Sequence, residues 1–384
     1  MLEARIHGAL SEIAAADWDA LHDGRNPFVA HAFVSGLENT GCLREEWGWT
    51  PAHVTLRDDD KLVAAAPGYI KSNSNGEFVF DHAWAHAYAQ HGLDYFPKWL
   101  GAVPYSPVTG PRLLARDEAG QIALQDTIAA FAVQAGLSSA HINFHDAGDE
   151  ASFGLRPSAE EPGWLLREDI QYHWRNDAGW ASFDDFLAAM DHKHRKNIRQ
   201  ERRKVRDAGI TFRVVHGDEA TEADLIAMHG FYLQTFAEYG NSPALTLGFL
   251  QHLAASMPRQ LVMLLAEREG LPIAGALCLR GSETLYGRYW GASELHAGLH
   301  FETCYYQGIE YCLREGLTHF EPGAQGRHKI ARGFLPTLVR SRHWIANPRF
   351  AAGLRAWCAE ERAAVGQHLT QLLAHSPFRN DAVK

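Results

Sequence analysis

Residues 261–279 read LVMLLAEREGLPIAGALCL, two apolar runs on either side of Glu269 and Gly270, which is the pattern of strand, tight turn and strand. The same grammar stands at residues 53–70, where HVTLR and LVAAAPGYI flank the acidic turn Asp58, Asp59 and Asp60. Val63, Ala64, Ala65 and Ala66 match Ile273, Ala274, Gly275 and Ala276 in order, at an offset of 210 residues. Each hairpin is followed by a helical stretch ending in Gly-Leu and then by a short strand closing on an acid. The first is 121–135, Gly136, Leu137 and HINFHDAG; the second is 299–315, Gly316, Leu317 and HFEPGAQG. Gly136 and Gly316 lie 180 residues apart, so the first copy carries about thirty extra residues, and the segment 81–98 (DHAWAHAYAQHGLDYFPK) fits that insertion. The chain therefore reads as a degenerate duplication of one α/β unit, with a hairpin, a third strand, a helix and a further strand in each half.

A length of 384 residues exceeds what one hydrophobic core usually supports, so two domains are expected. The expected boundaries are 1–180, a connecting segment at 181–209, and 210–384. Apolar residues at 46% and charged ones at 21% are globular values. A net charge of −10 argues against a surface that coats nucleic acid or anionic membrane as a whole, but leaves room for a local basic patch. Five cysteines, Cys42, Cys278, Cys304, Cys312 and Cys358, without C-x-x-C spacing suggest reduced thiols and no zinc site. The first residues, MLEARIHGALSEI, have no secretory pattern, and no apolar stretch is long enough to span a bilayer. A cytoplasmic location is the expectation.

Between the halves, residues 191–206 read DHKHRKNIRQERRKVR. Ser182 with Asp185 marks a helix start and Gly209 a stop, giving a bridging helix of about 24 residues, roughly 36 Å long. Its cations Lys193, Arg195, Lys196, Arg199, Arg202, Arg203, Lys204 and Arg206 surround one apolar stripe of Ile198 and Val205. Two readings stay open, a solvated helix with one packed edge or a phosphate-binding surface. Residues 347–374 read as one or two further helices, with Pro348 near the start.

The chemistry concentrates in residues 284–332. Alternation along the strand TLYGRYWGA would put Tyr286, Arg288 and Trp290 on one face, better suited to a pocket for an anionic or planar group than to an apolar core. His296, Gly298 and His300 precede a helix whose first N–H groups could receive an anion. Farther on, Glu321, Gln325, His328, Lys329 and Arg332 cluster about a glycine-rich turn at the end of a strand. Glu321 or His328 could take a proton from an attacking amine, with Lys329 or Arg332 opposing an oxyanion. We expect Glu321, His328 and Lys329 as catalytic groups and Tyr286, Arg288, Trp290, His300, Gln325 and Arg332 as substrate-binding ones, in a cleft between the halves. In the first half, FVFDHAWAHAY and VPYSPVTGPRL add Asp81, His82, Trp84, Tyr105 and Thr109 as binding candidates. His82 and His86 have helical metal-ligand spacing, but no third ligand is evident, so no metal is expected. Ser106 lies outside any G-x-S-x-G elbow.

These segments, together with YFPKWLGAVPYSPVTGPRLL, HRKNIRQERRKV, FEPGAQGRHKIARGF and SRHWI at residues 341–345, resemble the FemAB-like N-acyltransferases over nearly the whole chain. The resemblance implies tandem GNAT-type folds and transfer of an acyl or aminoacyl group to an amine, on a peptidoglycan precursor or peptide. It implies a donor that is aminoacyl-tRNA or acyl-CoA, with no tightly bound cofactor, and tRNA contact through the helix at 193–206, which is similar to the R-K-N-I-R helix of the wider group. The acetyltransferase pyrophosphate loop, R/Q-x-x-G-x-G/A, is missing before residue 299, where only Gly298 remains. Two other functions fit the same residues: a CoA-dependent small-amine N-acetyltransferase and a non-catalytic module that binds cell-wall precursors.

Overall fold

Both hairpins form in the computed structural model, which describes residues 2–155, 163–323 and 326–379. His53–Asp58 pairs antiparallel with Lys61–Ala66 across Asp59 (φ 50°), and Leu261–Arg268 with Leu271–Arg280 across Glu269 and Gly270 (φ 54° and 79°). Left-handed turn residues match the right-handed twist of the flanking strands. After each hairpin comes the expected helix, Glu118–Gln134 or Gln307–Glu315, stopped by a left-handed glycine, Gly136 (φ 66°) or Gly316 (φ 70°). The next strand then pairs in parallel with an earlier one: Ser139–His145 with Lys98–Gly101, and His319–Glu321 with Thr284–Ala292. The extra segment of the first copy contains the helix His82–Gln90. The architecture is a mixed α/β, tandem GNAT-like fold.

Two compact units result, residues 1–169 with 338–367, and residues 170–337 with 368–384. The single cut expected at 181–209 is replaced by this interleaved division. The reason is non-local pairing: Arg340 to Ile345 run antiparallel to Ser139–His145 and so return to the first unit. In that unit, Trp99, Leu56, Leu124, Ile128 and Ile142 form a core between strands and the helix Glu118–Gln134. In the second unit, Leu264, Cys278, Leu285, Ile309 and Phe320 do the same beneath Gln307–Glu315.

The basic segment differs from the expected single rod. Phe183–Ala189 is capped by Ser182 in a capping box with Asp185, Met190 is extended (ψ 161°), and His192–Asp207 starts afresh. Asp191 causes the restart, since its carboxylate accepts the His194 N–H at 2.9 Å and fixes a new N-cap. Both helices belong to the second unit. The C-terminal stretch is one helix, Pro348–Leu373.

One glycine is fixed by packing. A Cβ on Gly291 would lie 1.9 Å from the Phe231 carbonyl oxygen, where the helix Glu222–Glu238 rests on the strand backbone. Thr235 Oγ1 donates to the Trp290 carbonyl at 2.7 Å and locks that approach. Gly291→Ala is therefore expected to destabilise the chain by about 1–3 kcal/mol, read as a lower denaturation midpoint with an unchanged slope.

Candidate active site

The strand Thr284–Ala292 carries the first surprise. Its partner register runs Leu279 to Tyr286, Cys278 to Gly287, Leu277 to Tyr289 and Ala276 to Trp290, so Arg288 is the extra residue of a β-bulge. Alternation is broken there. Tyr286 and Tyr289 share the face of Leu277 and Leu279, whereas Trp290 falls on the face of Ala276 and Cys278. Glu321 pairs in parallel with Tyr286 and takes that side of the sheet. The three residues expected on one face are thus divided. Arg288 itself is held by a hydrogen bond with Tyr289, and burial pulls its guanidinium below the usual arginine range against the attraction of Tyr289 and Glu321.

On the Trp290 side the sequence-derived cations converge. The helical stretch opens with Leu299–Phe301, passes through a π-helical turn at Glu302–Tyr306 and resumes as Gln307–Glu315. Such turns are uncommon and concentrate at functional sites. This one sets Tyr305 and Tyr306, consecutive and both buried, against different partners. Tyr305 Oη shares a hydrogen bond with His328 Nε2 at 2.9 Å, and Tyr306 donates to Glu201. The His300 ring stands edge-on to Trp290 at 5.2 Å and to Tyr305 at 5.4 Å. At the helix start, the Leu299 N–H is already taken by the His296 carbonyl at 3.1 Å, and His296 bonds Glu294 at 2.9 Å.

Lys329 is only 3% exposed, and its ammonium donates to the Gly323 carbonyl at 2.6 Å. Among the described residues no ion pair holds it. Burial lowers its pKa to about 8, with Cys304 opposing and Arg288 adding to the shift. Arg332 donates to Glu201 at 2.6 Å and to the His328 carbonyl at 2.8 Å, and its guanidinium carbon lies 3.4 Å from the Phe301 ring centre. Its Nε is buried with no acceptor. Burial, then His328, Lys329 and Arg332, lower His300 to about 4. Burial, then Arg332 and Lys329, shift His328 downward from the ordinary histidine value. The site combines a neutral imidazole on a phenol with two buried cations. That combination suits removal of a proton from a nucleophile and stabilisation of an anion.

Glu201, Tyr305, Tyr306 and Phe301 were not singled out by sequence. Phe301 and Tyr305 have the spacing of an apolar helix face, and Glu201 stands as one acid among helix cations. Gln325 lies outside the described residues.

The first-unit candidates occupy other surroundings. Asp81 is buried and accepts from Lys98, from Ser74 at 2.6 Å and from Tyr95 at 2.6 Å. His82 is exposed. Trp84 is buried edge-on to His343 at 5.0 Å. Tyr105 donates to the Cys42 carbonyl at 3.0 Å, and the Thr109 carbonyl accepts from Asn26 at 2.9 Å. No group of three or more potential metal ligands occurs among the described residues, and none of their helices is long and apolar enough to cross a membrane.

Comparison with known proteins adds three findings. A family model described as FemAB-like, peptidoglycan biosynthesis/recognition, matches residues 9–380. Curated protein sequences give no match. Among solved structures, FemX aligns with a TM-score of 0.53 at 11% identity, over 92% of this chain and 100% of that one. A conserved protein of unknown function from Bacteroides thetaiotaomicron aligns at 0.52 and 12% identity, over 90% and 100%. The C-terminal domain of a putative lysylphosphatidylglycerol synthetase from Agrobacterium fabrum aligns at 0.50 and 12% identity, over 83% and 89%.

Proposed function

The chain belongs to the FemAB-like family of peptidoglycan biosynthesis and recognition, and from that premise we propose that it transfers an acyl or aminoacyl group to an amine at the Lys329 site. The observation that carries this reading is the pair of buried cations, Lys329 with no carboxylate partner among the described residues and Arg332 with an idle Nε–H. Arg332 has Glu201 for its charge, but a buried donor without an acceptor, and a buried ammonium without a carboxylate, are costly unless an anion arrives to use them. An oxyanion is that anion.

An amine nitrogen attacks the carbonyl carbon of an activated ester or thioester. Lys329 and the Arg332 Nε–H oppose the charge that builds on the carbonyl oxygen. His328, neutral near pH 7, accepts the proton that the nitrogen sheds, and Tyr305 holds its ring. The C–O or C–S bond then breaks, and the leaving oxygen or sulfur takes up a proton. Trp290 and His300, set edge to face, supply an aromatic corner against which the acyl group rests. Glu321 lies across the sheet from this centre and acts through its attraction for Arg288.

Aminoacyl-tRNA is the donor that the second unit favours. On the helix His192–Asp207, Lys193, Lys196, Arg199, Arg203, Lys204 and Arg206 are all exposed. Lys193, Lys196, Arg203 and Lys204 enter no ion pair among the described residues. Beside them lies a groove of about 530 Å³ lined by Arg199, Arg202, Arg203 and Arg206 with Phe183 and Phe212, where Asp184 and Glu302 pair with Arg199 and Arg202 and leave Arg203 unpaired among the described residues. The reading is tested with purified protein, an amine-bearing peptidoglycan peptide, and either aminoacyl-tRNA or acyl-CoA, with product followed by mass. Transfer from aminoacyl-tRNA is expected; transfer from acyl-CoA alone would replace this donor, and transfer from neither would overturn the reading. The double variant Lys196→Glu, Arg203→Glu is expected to weaken tRNA binding at least tenfold and to flatten its salt dependence by about one unit of slope per lost phosphate contact.

A further inference from the structure

The helix His192–Asp207 has two faces of different character. Lys193, Lys196, Arg203 and Lys204 stand on the exposed side. Ile198, Glu201, Arg202 and Val205 follow the i, i+3, i+4, i+7 spacing of one helical face, and Ile198 and Val205 are buried. That inward face meets the helical stretch that begins at Leu299. Arg202 bonds Glu302 at 3.2 Å and Glu310 at 2.8 Å. A Cβ on Gly298 would lie 3.2 Å from the Glu201 carbonyl oxygen, so the two backbones run close together there.

Glu201 is the acid of the inward face, and both of its carboxylate oxygens are engaged. Oε1 accepts from Arg332 Nη2 at 2.6 Å, and Oε2 accepts from the Tyr306 hydroxyl in the π-helical turn. Burial, and then the Glu201 charge, raise the Tyr306 phenol above its ordinary range, so Tyr306 stays a donor. Arg332 Nη1 donates to the His328 carbonyl at 2.8 Å, and the Phe301 ring lies 3.4 Å from the guanidinium carbon. A planar fork with an acceptor on each amino nitrogen and a ring on its flat face is fixed in orientation. In that orientation the Nε–H is buried and has no acceptor. An ion pair kept for stability alone gains nothing from stranding a donor, because an unpaired buried N–H is costly.

We infer that Glu201 is a positioning residue: it aims the Arg332 Nε–H at the acyl carbonyl oxygen and so ties the cationic helix to the reaction centre. The inference rests on the acyl-transfer reading above. A double-mutant cycle on transfer, read as kcat and as KM for the donor, tests it. Glu201→Gln, of the same shape, is expected to lower kcat at least about tenfold, since small misplacements at a reacting centre carry large rate costs. Donor KM should stay within about twofold, because the helix face that meets the donor is untouched. In an Arg332→Met background the same change should cost nothing further, because a residue acting through the guanidinium is silent once that group is gone. Nitrogen-15 spectra give a readout without turnover. The Arg332 guanidinium signals, identified by their absence from Arg332→Met, should be separate in the wild type and averaged in Glu201→Gln, where the clamp is loosened. Costs that add in the double variant, a loss confined to donor KM, or Arg332 signals indifferent to Glu201→Gln would overturn this inference alone. Absence of transfer by the wild-type chain would overturn the acyl-transfer reading and this inference with it.

Discussion

Replacing Lys329 with methionine is expected to lower the rate of acyl transfer by about 10²–10³-fold, the loss typical when one group opposing an oxyanion is removed. The fold should not suffer. Lys329 is buried with no ion pair among the described residues, and its pKa is pulled from the usual 10.5 to about 8. That difference means the charged form is disfavoured in the folded state by on the order of 3 kcal/mol. The sign follows from proton binding: between about pH 8 and 10.5 the unfolded lysine binds the proton and the folded one does not. Lys329 therefore contributes a stability that rises with pH across that window, and Lys329→Met should remove that contribution, making the chain's slope there less positive, while melting at or above the wild-type temperature near pH 7. Methionine has a similar length and no charge, so the cavity term is small.

Lys329→Arg supplies the discriminating control. Arginine keeps its charge through the accessible pH range, so the decline in activity that deprotonation of Lys329 imposes above about pH 8 should move to higher pH. A merely structural lysine would give an unstable methionine variant and an unshifted profile. Retention of full activity by Lys329→Met, with the stability change as described, would remove the residue from the chemistry and leave Arg332 as the only buried cation facing the proposed oxyanion.

The parts of this fold that the sequence announces are those set by neighbours in the chain. The two hairpins, the helices stopped by Gly136 and Gly316, and the strands after them follow from period-two patterns, turn residues and caps, all local. Two local irregularities escaped. The bulge at Arg288 adds one residue to a strand and reverses the side of everything beyond it, separating Tyr286 from Trp290. The π-helical turn at Glu302–Tyr306 shifts the helical phase and draws Tyr305 and Tyr306 to His328 and Glu201. Neither feature has a residue signature strong enough to read in advance. Non-local pairing was equally hidden: the return of 338–367 to the first unit depends on a strand about two hundred residues from its partner. His300, His328, Lys329 and Arg332 stand out in the sequence because cations crowded near glycines are unusual, whereas Asp81, Tyr105 and Thr109 carry no pattern that separates a ligand contact from a structural one.

Asp81 is the case in which that ambiguity has the largest consequence. Its carboxylate accepts from the Lys98 ammonium and from the hydroxyls of Ser74 and Tyr95, all inside the first unit, and Lys98 is 0% exposed. Burial pushes the Asp81 carboxyl up, but the Lys98 charge and the three donors outweigh it and leave the pKa below the usual value. Asp81→Ala would leave a buried ammonium with Glu77, at 2.8 Å, as its one remaining carboxylate among the described residues, and Glu77 is itself raised by burial to about 7. Removing one partner of such a pair costs about 3–5 kcal/mol. For a unit of this size that is a drop of roughly 6–20 °C in melting temperature. The double variant Asp81→Ala, Lys98→Met should recover much of the loss, since it removes the uncompensated charge as well as its partner. Calorimetry of the single and double variants reads the coupling directly. A wild-type melting temperature for Asp81→Ala together with lost transfer would instead make Asp81 a ligand contact, because a carboxylate that does not stabilise its buried lysine must be kept there for something that binds.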